Sequence, residues 1–184
     1  MDRHARPSAS AAAHRVGASG PARPAGWART LALVALVLLL TACSVRIPAD
    51  PDGTLERVTG GQLRVGVSHN PPWTDISGDA PTGTETKLIA GFAVARDAGV
   101  VWEAGGEEQL MTQLRDGRLD VVIGGLTDES PWTSHAALTT PYTQAARADG
   151  STEQHVLAVP LGENAFMVAL EQHALAWDDP GLER

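Results

Sequence analysis

The stretch LRDGRLDVVIGGLTDESPW, residues 114–132, decides how the chain is read. Asp120-Val121-Val122-Ile123-Gly124 is a near-continuous apolar run, the pattern of a central parallel strand covered on both faces. Ahead of it, Glu107 and Glu108 stand where a helix macrodipole favours acids. Leu110, Met111 and Leu114 give that helix a buried face, and Gly117 ends it. Beyond the strand, Gly124-Gly125 make a tight turn towards polar Thr127, Asp128 and Glu129.

The same alternation continues outward in both directions. Leu63, Val65 and Val67 alternate with Arg64 and Gly66, which predicts an earlier strand. SHNPPW, residues 68–73, breaks it, because Pro71 and Pro72 cannot extend a ladder. From Glu85, apolar residues recur at Leu88, Ile89, Phe92 and Ala93, a helical face with Gly99 as its stop. Val100, Val101 and Trp102 form a second short strand. Downstream, residues 136–140 and 156–159 read as strands, and Phe166, Leu170 and Trp177 mark a last helix ending before Pro180. The order β-α-β-α-β predicts an α/β fold, a mostly parallel sheet flanked by helices. In such sheets ligands bind beyond the carboxyl ends of the strands, which selects His69–Trp73 and Gly124–Thr127.

The N-terminus has a different character. Residues 1–30 carry Arg3, Arg6, Arg15, Arg23 and Arg29 against Asp2 alone, and the apolar run LALVALVLLL follows at 31–40. A positive region, a short apolar run and small residues before a cut site make a secretory signal. The run is shorter than the ~20 apolar residues that span a bilayer. Leu40-Thr41-Ala42-Cys43 resembles the bacterial lipobox, which predicts a signal peptide over 1–42 and lipidation of Cys43. As the chain's one cysteine, Cys43 has no partner for an internal disulfide. Residues 43–62, with Pro48 and Pro51, read as a tether after the lipidated Cys43.

The chain's net charge is −8, and the basic leader makes the remainder more acidic still. That argues against nucleic acid as a partner and against a polybasic membrane patch, leaving membrane contact through the lipid anchor. No nucleophile elbow, P-loop or HExxH is present, and His69, His135, His155 and His173 lack metal-ligand spacing. The sequence therefore gives no catalytic residues, metal site or cofactor, and it is not read as an enzyme.

LRVGVSHNPPW, TGTETKLIAGFAVARDAGV and LRDGRLDVVIGGLTDESPWTSHAALTTPY together resemble the first lobe of the family 3 extracytoplasmic solute-binding proteins. HVLAVPLGENAFMVALEQHAL resembles the segment by which that family's chain returns to its first lobe. These are type II periplasmic binding proteins that deliver polar amino acids and similar small solutes to ABC importers. The resemblance implies a single lobe over 63–142 and 155–179. It also implies an extracytoplasmic, lipid-anchored solute receptor whose partners are a small-molecule solute and an ABC permease.

By the same resemblance Trp73 stacks on the ligand, and Gly124, Gly125 and Thr127 offer backbone groups and a hydroxyl to it. Glu85 matches an acid of the family's Gly-aromatic-acid motif. On its own residues it reads equally as a first-turn acid stabilising a helix, at ~0.3–1 kcal/mol. Trp132 occupies the place where amino-acid binders hold an arginine for the α-carboxylate, and no Arg or Lys lies between Arg118 and Arg147. Taken without the resemblance, Trp73 and Trp132 read first as packed aromatics. Facing one cleft beside Glu85, the two tryptophans suit a cationic solute, at ~0.5–2 kcal/mol per ring.

Full members of the family insert a second α/β domain after the Thr-x-Pro-Tyr strand. Here residues 143–154 form only a short connector, where even one βαβ unit needs ~30 residues. A second reading follows, in which the chain is a truncated or accessory lobe acting through protein contacts without capturing solute.

Overall fold

The computed structural model describes Leu31, residues 49–147 and residues 149–178. The chain divides into two units, Met1–Val45 and Arg46–Arg184, and the sheet and helices described below belong to the second. The signal peptide expected over 1–42, apart from Leu31, and the lipidation site Cys43 lie outside the described residues. Among those described, no helix is long and apolar enough to cross a membrane.

Within the second unit the described residues form seven strands and four helices. They are α1 (Thr54–Val58), β1 (Gln62–Val67), α2 (Thr84–Ala95), β2 (Gly99–Ala104), α3 (Glu107–Arg115) and β3 (Val121–Ile123), followed by β4 (Ala137–Leu138), β5 (Thr143–Ala146), β6 (Thr152–His155), β7 (Ala158–Val159) and α4 (Asn164–Ala176). A 3-10 turn, Pro131–Ser134, lies between β3 and β4. Five strands form one sheet in the order β2-β1-β3-β7-β4. β1 pairs in parallel with β2 and with β3, and β7 runs antiparallel to both β3 and β4. Four of the five strands thus share one direction, as the alternating sequence predicts.

The pleat explains which residues hold the sheet between its helices. Val65 and Val67 of β1 with Val121 and Ile123 of β3 turn to one face, where α1, α2 and α4 supply Val58, Leu88, Phe92, Phe166 and Leu170. Val122 turns to the other, against Leu110, Met111 and Leu114 of α3. Each such fully buried side chain stabilises the fold by ~1.5–3 kcal/mol. β3 is short but buried at every position, consistent with its apolar run.

Residues 49–62, expected as part of a tether, are not a free tether. Asp50 accepts the Leu55 amide at 2.7 Å and the Phe166 amide at 3.2 Å, while Glu163 accepts those of Asp52 and Thr54, both at 3.0 Å. Each acid thus satisfies amides at the start of α1 or α4, and three of these four bonds cross a long sequence separation, so α1 folds against the domain. Residues 143–154 also have structure of their own. β5 and β6 pair antiparallel from Thr143↔His155 to Ala146↔Thr152, so the connector is a two-stranded hairpin.

Candidate functional site

β1 sits between its two parallel neighbours, and the chain leaves it in one direction for β2 and returns on the other side for β3. That reversal opens a crevice at the carboxyl ends of the strands. Three segments meet there: the loop after β1, the β2–α3 junction and the turn after β3.

The loop after β1 is pinned to its neighbours by hydrogen bonds. The Ser68 amide donates to the Ile123 carbonyl at 3.1 Å, continuing the β1–β3 ladder. Thr74 Oγ1 donates to the Ser68 carbonyl at 2.5 Å, and the Asn70 side chain donates to the Gly124 carbonyl at 2.9 Å. The Glu85 amide donates to the Trp73 carbonyl at 3.0 Å, tying the loop to the start of α2. These contacts hold Trp73 half-buried over the turn after β3. Gly125 adopts φ +64°, and a Cβ there would collide with Asn70 and the Trp73 indole. Glycine is required on both counts.

Glu85 points inward from the first turn of α2. It is fully buried, with Oε2 accepting the Gly124 amide at 2.8 Å and the Gly125 amide at 2.9 Å. Oε1 accepts the Tyr142 hydroxyl at 2.7 Å. The acid stands in the first turn of α2 with its carboxylate turned into the protein. It braces the turn after β3 from inside, and the Gly124 and Gly125 amides expected to meet a ligand donate to it instead. Burial raises its pKa, against the pull of the Gly125, Tyr142 and Gly124 donors. Burial first, then the adjoining carboxylate, pushes the Tyr142 phenol well above its ordinary range, so it remains a donor.

A cavity of about 390 Å³ opens at this end of the sheet, lined by Ser68, His69, Asn70, Ile76, Gly105, Gly106, Glu107 and Gly124. A larger hollow of about 540 Å³ lies near Asp50, Leu55 and Arg96, remote from the strand ends that the topology selects. Trp132, on the 3-10 turn, reaches the rim of the smaller cavity by donating its indole N–H to Glu107 Oε1. Its ring meets His135 edge-on with centroids 5.6 Å apart. Thr127 pairs through its backbone with His155, and its amide donates to Ser130 Oγ at 3.2 Å. His155 in turn packs against Trp73, the ring centroids 3.8 Å apart.

The structure thus gathers Trp73, Gly124, Gly125 and Thr127 around one turn and brings Trp132 to the cavity through Glu107. Sequence reasoning missed Asn70, Glu107 and His155 as individual site residues. The available signal for Asn70 was its place in the loop beyond β1. In the sequence Glu107 shows only as a first-turn acid.

No protein-family model and no curated protein matches the chain. Solved structures do. The arginine-bound form of domain 1 of TmArgBP superposes with a TM-score of 0.58 at 22% identity, covering 66% of this chain and 98% of that one. The L-cystine solute receptor of Neisseria gonorrhoeae, in its unliganded open conformation, gives 0.55 at 14% identity, covering 66% and 89%. An ancestral cationic amino acid solute-binding protein gives 0.57 at 13% identity, covering 66% and 92%. At these identities the likeness is one of fold. The chain has the fold of a single lobe of a periplasmic solute-binding protein.

Proposed function

We propose that this protein is an extracytoplasmic, lipid-anchored solute-binding lobe serving an ABC importer, with a small cationic or amino-acid-like solute. The observation that carries the reading is the cavity at the carboxyl ends of β1, β2 and β3, with Glu107 in its lining and Trp73 and Trp132 beside it. No Lys or Arg lines it, so a bidentate clamp for a carboxylate is missing from the lining. An acid in the lining, with one indole bonded to it and another near the same cavity, favours the cationic end of a solute over its carboxylate. The chain's acidity would steer such a solute inward. The solved domain 1 of TmArgBP is an arginine-bound form, so a lone lobe of this fold has been seen with its ligand. Lipid anchoring rests on the Leu-Thr-Ala-Cys sequence at 40–43 and the apolar run before it.

The β5–β6 hairpin supports a second reading, an accessory lobe acting through protein contacts, because it takes up the chain positions at which the resembled family inserts a second lobe. Titrating the full chain in detergent with L-arginine, its decarboxylated analogue agmatine and L-cystine separates the two. Binding is expected for agmatine at an affinity no weaker than for L-arginine. Silence across all three overturns solute capture and leaves the accessory reading.

A further inference from the structure

His155 ends the hairpin and is 1% exposed. Neither ring nitrogen has a hydrogen-bond partner among the described residues. Buried polar groups are nearly always paired, so an imidazole left this way is an exception that needs a reason. Its ring lies against the Trp73 indole, with a 34° tilt between the planes. Its backbone joins the hairpin to the turn after β3 through the bridge to Thr127. The imidazole thus packs against the tryptophan that the loop's hydrogen bonds hold beside the cavity.

The charged groups around His155 can be named element by element. On β6, Glu153 Oε1 lies 3.2 Å from Nε2, close enough for a charge pair but not aligned for a hydrogen bond. Arg147, after β5, holds the other oxygen of Glu153 at 3.0 Å and also pairs Glu129 at 2.9 Å. Glu85 of α2, with Tyr142, bonds the far side of the Gly124–Gly125 turn. Burial disfavours the imidazolium and outweighs the pull of Glu153 and of the Leu126 and Gly125 backbone, which lowers the pKa from its ordinary value.

We propose that His155 is a positioning residue behind Trp73, and that its protonation weakens binding of a cationic solute at the Trp73 ring. This rests on the cavity being a solute-binding site. The neutral imidazole supports the indole and leaves its π-density available to a cation. An imidazolium packed against the indole competes for that density and places a like charge behind the solute. Proton uptake by His155 and cation capture at Trp73 then oppose one another, and linkage makes the opposition reciprocal.

The test uses the full chain, with the emission of Trp73 taken as the difference between wild type and W73F. Acidification from about pH 7.5 to about pH 5 should quench that emission reversibly, with a midpoint below the ordinary histidine value. H155F, which keeps a ring in place without a titrating group, should abolish the quench, as should H155Q. Agmatine should bind several-fold more weakly at the acid end in wild type, and with little pH dependence in H155F. A Trp73 emission that ignores pH overturns the proposal, as does an acid loss of affinity that persists in both variants. Absence of agmatine binding at either pH sinks the solute reading and the coupling with it. Binding that is tight but indifferent to pH overturns the coupling alone.

Discussion

The two ends of the central sheet handle charge in opposite ways. At the amino end, Asp120 accepts Arg64 at 2.5 Å, Arg57 at 2.7 Å and the Arg64 amide at 2.8 Å, and its side chain is 1% exposed. Both arginines converge on one buried acid, and the cavity of about 270 Å³ that these groups line has its charges already paired. At the carboxyl end one acid, Glu85, is closed in the same sense by three donors. Glu107 and His69 instead line a cavity, and the two indoles stand beside it half-buried. Polar groups buried against one another stabilise the fold, whereas Glu107, although bonded to Trp132, keeps its place in the lining of a cavity.

The largest effect should come from the inner brace. Glu85→Ala leaves two amides and a phenol without their acceptor in a buried place, and should cost about 3–4 kcal/mol in urea unfolding. Glu85→Gln keeps an oxygen for the amides and an N–H₂ for Tyr142, and should cost about 1 kcal/mol. If Glu85 contacted solute, the glutamine variant would lose binding while remaining stable. Next comes Asp120→Ala, expected at about 3 kcal/mol, the low end for breaking a buried pair because both arginines can turn to water. It should leave any solute response of the folded protein unchanged.

The two buried acids also predict opposite responses to pH. The Asp120 carboxyl is lowered, burial being outweighed by the Arg64 and Arg57 guanidiniums. Its contribution is present above the unfolded value of ~3.9 and is lost as pH falls through the lower folded value. Glu85 is raised, so its contribution is full below ~4.3 and is lost as pH rises through the folded value. Unfolding followed against pH should therefore lose an acid-side decline in Asp120→Asn and a decline towards neutrality in Glu85→Gln. The smallest effect should be Trp132→Phe, which removes the bond to Glu107 at a half-exposed site and should cost under about 1 kcal/mol.

Much of this architecture was legible in the residues. β1, α2, α3 and β3 follow from apolar spacing, because each buries a continuous face that period alone reveals. The hairpin β5–β6 was not legible, since between Tyr142 and His155 no large apolar residue marks a face and its pairing is carried by backbone. The N-terminal helix α1 resembles tether in sequence because the acids that fix it, Asp50 and Glu163, lie far apart along the chain. At the site, the loop after β1 and the turn after β3 follow from topology, and Trp73 from resemblance. Glu85 was ambiguous because nothing local shows that two glycine amides and a tyrosine converge on it. His155 gave no signal, as one histidine ahead of an apolar run reads the same whether or not it meets an indole.

The central claim is that the carboxyl end of the sheet captures a cationic solute at Trp73. Its most direct measurement is the thermal shift produced by agmatine on the full chain, wild type against Trp73→Ala. Trp73→Ala should unfold within a few degrees of wild type without ligand and show no shift with it. A shift of wild-type size in Trp73→Ala, or a Trp73→Ala chain that no longer folds, would contradict it.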